Sequence, residues 1–285
     1  MKLALTLIII GGFLAALGAQ AEPDNPATGS GSFIRLKSGV SVPADNFQRK
    51  DDQLMVTVTT SSGGHGQVYY YISDVAELDV AAPPALAAAS DLMAKGHPDQ
   101  ALALISPIVA FQLTLRDIPG NWWAKSALVQ ASVLISLKRG PDAASLLKDI
   151  AATSQDPEIQ TAAKLQLALI EPPQDPAVAL SAYDAVLKQS HNVDTLTQAW
   201  IAEGDVHFSQ HEFADALLAY LNVPVFYSDH NPLLPKALWG VAQSARMLKD
   251  SKQEDEALLD LTTHFPDTTE ASLAQAEIMK KQNNP

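Results

Sequence analysis

Small residues return along this chain at a spacing of about forty. Counted around Ala216, they stand at Ala101, Ala143, Ala179 and Ala257, at intervals of 42, 36, 37 and 41. Four residues after each comes a large apolar side chain: Ile105, Leu147, Tyr183, Tyr220 and Leu261. Twelve before each stand Ala89, Ala131, Leu167, Gly204 and Ala245, and only Leu167 is large. A fixed phase of small and large residues at helical spacing means that one helical hairpin is reused. Such a unit cannot bury its apolar face alone and must stack on its neighbours. That leaves a helical array and little else.

The pattern has clear limits. Pro83-Pro84 opens it, and from Ala85 apolar residues recur every three or four positions. Breaks fall at Gly96-His97-Pro98, Pro119-Gly120-Asn121, Gly140-Pro141, Pro172-Pro173, His191-Asn192, Pro224 and His230-Asn231-Pro232. These predict helices of three to four turns joined by short connections over residues 85–281, about five helix pairs. Thr269–Lys281 would close the array with a polar outer face.

The first 84 residues read differently. Lys2, an apolar run to about Leu17 and Ala19-Gln20-Ala21 have the charge, core and small-residue site of a secretory signal peptide, residues 1–21. Its run is short for a membrane span, which needs roughly 20 apolar residues. Residues 22–31 have linker composition. Residues 32–80 predict four or five short strands: Phe33–Lys37, Val40–Val42, Leu54–Thr60, Gln67–Ile72 and Glu77–Val80, turning at Ser38-Gly39, Asp51-Asp52 and Ser61–Gly64. So few short strands suit a small barrel. Their order resembles the Sm-like or SH3-like barrels of bacterial envelope proteins.

The clearest repeat runs from Trp200 to Val223, with Trp200, Gly204, Phe208, Phe213, Ala216, Tyr220 and Val223 in phase. It resembles the tetratricopeptide repeat (TPR), whose first helix carries Trp, Gly and an aromatic and whose second carries a small residue and an aromatic four later. The segments Asn121–Ala124 and His264–Asp267 resemble TPR proteins of the bacterial periplasm and cell envelope. The resemblance implies a mainly α fold, a TPR-like α-solenoid of about five helix pairs behind a small β-barrel module. Trp200, Gly204, Phe213, Ala216 and Tyr220 would form the repeat core. First-helix residues would line a concave protein-binding groove: Ile201, Asp205, Phe208 and Ser209 in this repeat, and Leu128, Ser132, Ile135 and Ser136 in an earlier one.

Composition narrows the function. The net charge is −13, and residues 151–285 alone hold 19 acidic and 8 basic side chains, with no basic stripe. Nucleic acid is a poor partner for such a chain. Cysteine is absent, which removes disulfides, thiolate chemistry, Cys-based zinc sites and a lipidated N-terminal cysteine. Glu203, His207 and His211 share a helix face, but there is no HExxH, and the repeat already explains two of their positions. Ser145–Lys148 matches S-x-x-K in the wrong setting, inside a repeat helix. No catalytic residue, cofactor site or metal site is expected.

Trp122-Trp123 is the remaining signal. Neighbours on a helix point about 100° apart, so one ring is expected in the core, with the other either an exposed interface anchor or packed against the β-module. The expected function is a non-catalytic scaffold for protein partners in the periplasm or outside the cell, with an accessory role in a Tol/TonB-type envelope complex. The rival is a peptidoglycan-binding or -cleaving protein using the Trp122-Trp123 region and Asp117.

Overall fold

The computed structural model describes residues 32–44, 46–59, 64–228 and 232–283; the signal-peptide and linker expectations, residues 1–21 and 22–31, lie outside them. Six strands come first: β1 (Phe33–Leu36), β2 (Ser41–Pro43), β3 (Asn46–Lys50), β4 (Gln53–Thr59), β5 (His65–Tyr71) and β6 (Val75–Asp79). They form two antiparallel three-stranded sheets, β2-β1-β6 and β3-β4-β5. Strand β3 was not expected, because Asn46–Lys50 has one apolar residue among polar ones. That residue decides it: Phe47 is buried, and its strand pairs along β4 from Asn46↔Thr57 to Lys50↔Gln53.

The module does not complete its own core. Ile34, Phe47, Leu54, Val56 and Leu78 pack with Leu115 and Ile118, which lie beyond the second helix. Phe111 and Trp122 cover the same cluster.

Helices follow in unbroken succession: α1 (Pro84–Ala94), α2 (Pro98–Leu113), α3 (Trp123–Ser136), α4 (Gly140–Thr153), α5 (Pro157–Ile170), α6 (Pro176–Gln189), α7 (Val193–Ser209), α8 (Phe213–Phe226), α9 (Leu234–Leu248), α10 (Ser251–His264) and α11 (Thr269–Asn283). Six start with proline in the first turn, where its missing N–H costs nothing. Asp156, Asp175, Asn192 and Asp250 cap α5, α6, α7 and α10 through their side chains. Four tight hairpin turns each place one residue in the left-handed region, namely Gly96, Lys138, His211 and Lys249.

Pro224 does not break a helix. It lies inside α8, which continues to Phe226. An interior proline costs about 3 kcal/mol or more, and the packing of fully buried Val223 in the shared core holds the last turn in place.

The repeat phase maps onto burial throughout. The five small residues (Ala101, Ala143, Ala179, Ala216, Ala257) and their five large partners are all at most 4% exposed. The polar outer face expected of α11 is mixed: it buries Ala271 and Ala274 but leaves Leu273 and Met279 exposed.

Candidate protein-binding surface

Consecutive odd-numbered helices pack on one another, from α1 with α3 through to α9 with α11, whereas consecutive even-numbered helices make at most marginal contact. The odd helices therefore line the inner side of the stack and the even helices its outer side. The fold is a TPR-like α-solenoid.

The inner side is held across repeats by polar links. Ser132 on α3 exchanges hydrogen bonds with Gln166 on α5, at 3.1 and 3.4 Å. Asp205 on α7 accepts from the Tyr220 hydroxyl at 2.6 Å and from Lys236 on α9 at 3.4 Å. Burial, and then the bond to Asp205, push the Tyr220 hydroxyl far above its ordinary pKa, so it stays a donor.

The groove residues expected from sequence divide into three sorts. Ile201 is 3% exposed and belongs to the core, so it offers a partner no surface. Leu128, Ile135 and Phe208 are half-buried, packed on the core with one side to solvent. Asp205, Ser136 and Ser209 are exposed. Among the repeat-core residues, Gly204, Ala216 and Tyr220 are buried, while Trp200 and Phe213 are half-buried, with Phe213 edge-on to Phe208 at 5.3 Å.

Sequence reasoning missed Gly240. A methyl group on Gly204 would lie 2.6 Å from the Tyr220 ring, and one on Gly240 would lie 2.7 Å from it. The ring is thus wedged between α7 and α9. The dipeptide Trp239-Gly240 sat outside the counted phase, which is why it carried no signal.

Neither tryptophan of the pair is a free anchor. Trp123 is 3% exposed in the helical core. Trp122 is half-buried against the β-module and donates its indole N–H to the Val80 carbonyl at 2.9 Å, with the Lys125 ammonium over its ring. Packing against the module, the blander of the two expectations, explains Trp122.

Beside them lies a cleft of about 710 Å³ that also includes Asp117 and Asp156. Both carboxylates have structural partners. Asp117 is ion-paired with Arg49, whose hydrogen bond outweighs partial burial and holds the carboxyl below its usual range. Asp156 caps α5. The arrangement expected of the rival reading, an aromatic platform beside a paired acid and base, is thus not what these residues form: Asp117 is held by Arg49, Asp156 by the start of α5, and Trp122 by the β-module.

The two histidines of the α7–α8 hairpin separate as well. His207 Nδ1 lies 2.7 Å from Glu212, with Asp215 alongside, so these three rather than His211 are the group whose donors could converge on a cation. His211 occupies the left-handed turn instead. The carboxylates of this group are exposed, and the His207–Glu212 contact is satisfied as a hydrogen bond bridging the α7–α8 turn.

No family model matches the chain, and no curated protein matches it. Solved structures with similar backbones include Pseudomonas aeruginosa pilF (18% identity, 68% of this chain and 80% of that one, TM-score 0.47). Another is YrrB, described as a TPR protein with an unusual peptide-binding site (15%, 68% and 91%, 0.40). A third is a Podosopora anserina chain of nearly identical TPR-like repeats (13%, 68% and 94%, 0.43). Likeness at this level says nothing of partners or location.

Proposed function

We propose that this protein is a non-catalytic scaffold that binds protein partners along the inner side of its solenoid. The observation that supports this most is the row of odd helices whose inner faces keep exposed polar groups beside half-buried apolar ones. That mixture, with apolar contact from Leu128, Ile135 and Phe208 and orientation from Asp205 and Ser209, suits a polypeptide ligand. Its acidic C-terminal half favours a partner with basic groups there, since like charges facing each other cost several kcal/mol. The leader pattern in residues 1–21 supports export to the periplasm, and an accessory place in a Tol/TonB-type envelope complex is the partner class put forward.

Photo-crosslinking in the native cell tests this. A photoreactive residue at Ser136 or Ser209 on the inner side should capture a distinct partner, whereas one at Leu218, which is 63% exposed on α8, should not. Capture only from Leu218, or from neither inner site, refutes the groove. An intact mass that still includes Met1–Ala21 refutes export by cleavage.

A further inference from the structure

Among the described residues two three-stranded sheets present four edges, and three of them carry a feature that limits pairing. Strand β2 is three residues long and ends at Pro43. The Leu78 N–H of β6 donates to the Pro119 carbonyl at 2.8 Å, so the α2–α3 connection covers that edge. Arg49 of β3 donates to the Thr114 carbonyl at 2.7 Å, which ties that edge to the end of α2. Shortening, proline and covering segments are the usual ways in which proteins keep edges from pairing.

Among the described residues, strand β5 has none of them. It runs seven residues, His65–Tyr71, with no proline, lysine or bulge, and it pairs with β4 without a register shift. The register shows where its backbone points. Ile72 N–H bonds to Asp52 O at 2.8 Å, so 72↔52 is a hydrogen-bonded pair, and alternation makes 70↔54 and 68↔56 such pairs too. The N–H and C=O groups of Gln67, Tyr69 and Tyr71 therefore face away from β4, and among the described residues nothing bonds to them. Their side chains lie on the outer face, with Tyr69 47% and Tyr71 53% exposed. At the Tyr71 end stand the exposed carboxylates Asp51, Asp52 and Asp74, none in an ion pair. Two lysines of that end, Lys37 and Lys50, do not pair with them either.

We propose that β5 is a second docking site, distinct from the solenoid groove, which takes an extended segment of another protein as a fourth strand of its sheet. Main-chain bonds to Gln67, Tyr69 and Tyr71 supply the affinity, as in other cases of strand addition. The two tyrosine rings favour apolar or β-branched side chains at alternate positions. The unpaired carboxylates favour a Lys or Arg at the end that lies beside Tyr71. A second copy paired through β5 about a two-fold axis would run antiparallel and set the Tyr71 end, with its carboxylates, beside the other copy's His65 end, which brings no Lys or Arg, so charge favours a foreign strand that carries one.

The test is selection of a displayed library of random ten-residue peptides on the full chain. Two variants serve as counter-screens: Tyr69→Pro, which removes an outward N–H while leaving the β4 ladder intact, and Tyr69→Lys/Tyr71→Lys, which retains every backbone donor. Both are to be checked for native melting. Enriched peptides should alternate apolar residues, carry a terminal Lys or Arg, slow amide exchange at Gln67, Tyr69 and Tyr71, and bind Tyr69→Pro at least tenfold more weakly. The lysine variant, folded whether or not the proline one is, should also lose binding, and Asp74→Asn should weaken it a few-fold. No enrichment, peptides that bind both variants like the parent, or a chain that dimerises through β5 overturns the proposal.

Discussion

The wedge of Tyr220 between two glycines makes a sharp quantitative test. A methyl group added at Gly240 meets the ring at 2.7 Å, and one at Gly204 meets it at 2.6 Å, where ordinary contact begins near 3.4 Å. The ring has nowhere to retreat, since the other glycine's helix faces it and its hydroxyl is held by Asp205 at 2.6 Å. Overpacking of this kind costs about 1–3 kcal/mol, and the tight geometry places it near the upper end. Alanine regains about 1 kcal/mol of helix propensity over glycine. Gly240→Ala should then destabilise the chain by about 2 kcal/mol net, read by urea or thermal melting as a drop of roughly 4–8 °C for a chain this size. The control is Tyr220→Leu, which installs the residue already used at this position two repeats earlier, at Leu147, and one repeat later, at Leu261. In that background Gly240→Ala should become stabilising by about 1 kcal/mol, a coupling of about 3 kcal/mol. If Gly240→Ala stabilises the parent chain, or the coupling stays under about 0.5 kcal/mol, the ring is not wedged and the account of this crossing is wrong.

Gly120→Ala should loosen the β-module from the helices. Gly120 has φ +81°, and an added methyl would sit 2.0 Å from the Leu78 carbonyl oxygen, so thermal melts should show a separate early transition in the module. Asp117→Asn tests the Arg49 contact through its pH dependence. Because the folded carboxyl is held below its ordinary pKa of about 3.9, its contribution is present above that value and fades as pH falls through the lower folded one. The stability gap between parent and variant should thus be constant from pH 5 to 8 and close towards pH 3; a gap that widens in acid refutes the sign. Chelator treatment should leave melting unchanged, and stoichiometric zinc that is lost on His207→Ala would contradict the hydrogen-bond reading of His207 and Glu212.

The sequence alone determined the repeat. Helical hairpins announce themselves locally, because small and large residues must alternate at fixed spacing wherever two helices cross, so the phase through Ala101, Ala143, Ala179, Ala216 and Ala257 was readable without coordinates. Prolines and caps marked most helix starts for the same local reason. What tertiary structure decided was everything set by partners distant in the chain. Strand β3 exists because Phe47 fills a core that Leu115 and Ile118 complete. Pro224 stays helical because Val223 is locked between helices. Trp122 and Trp123, of which the sequence placed one ring in the core and left the other open between an interface and the β-module, are both claimed by packing on opposite sides of one junction. Gly240 matters only because Tyr220, one helix earlier, reaches it. The open edge of β5 is invisible in His65–Tyr71 itself, since an edge is defined by which strands are absent beside it, and no local pattern records that.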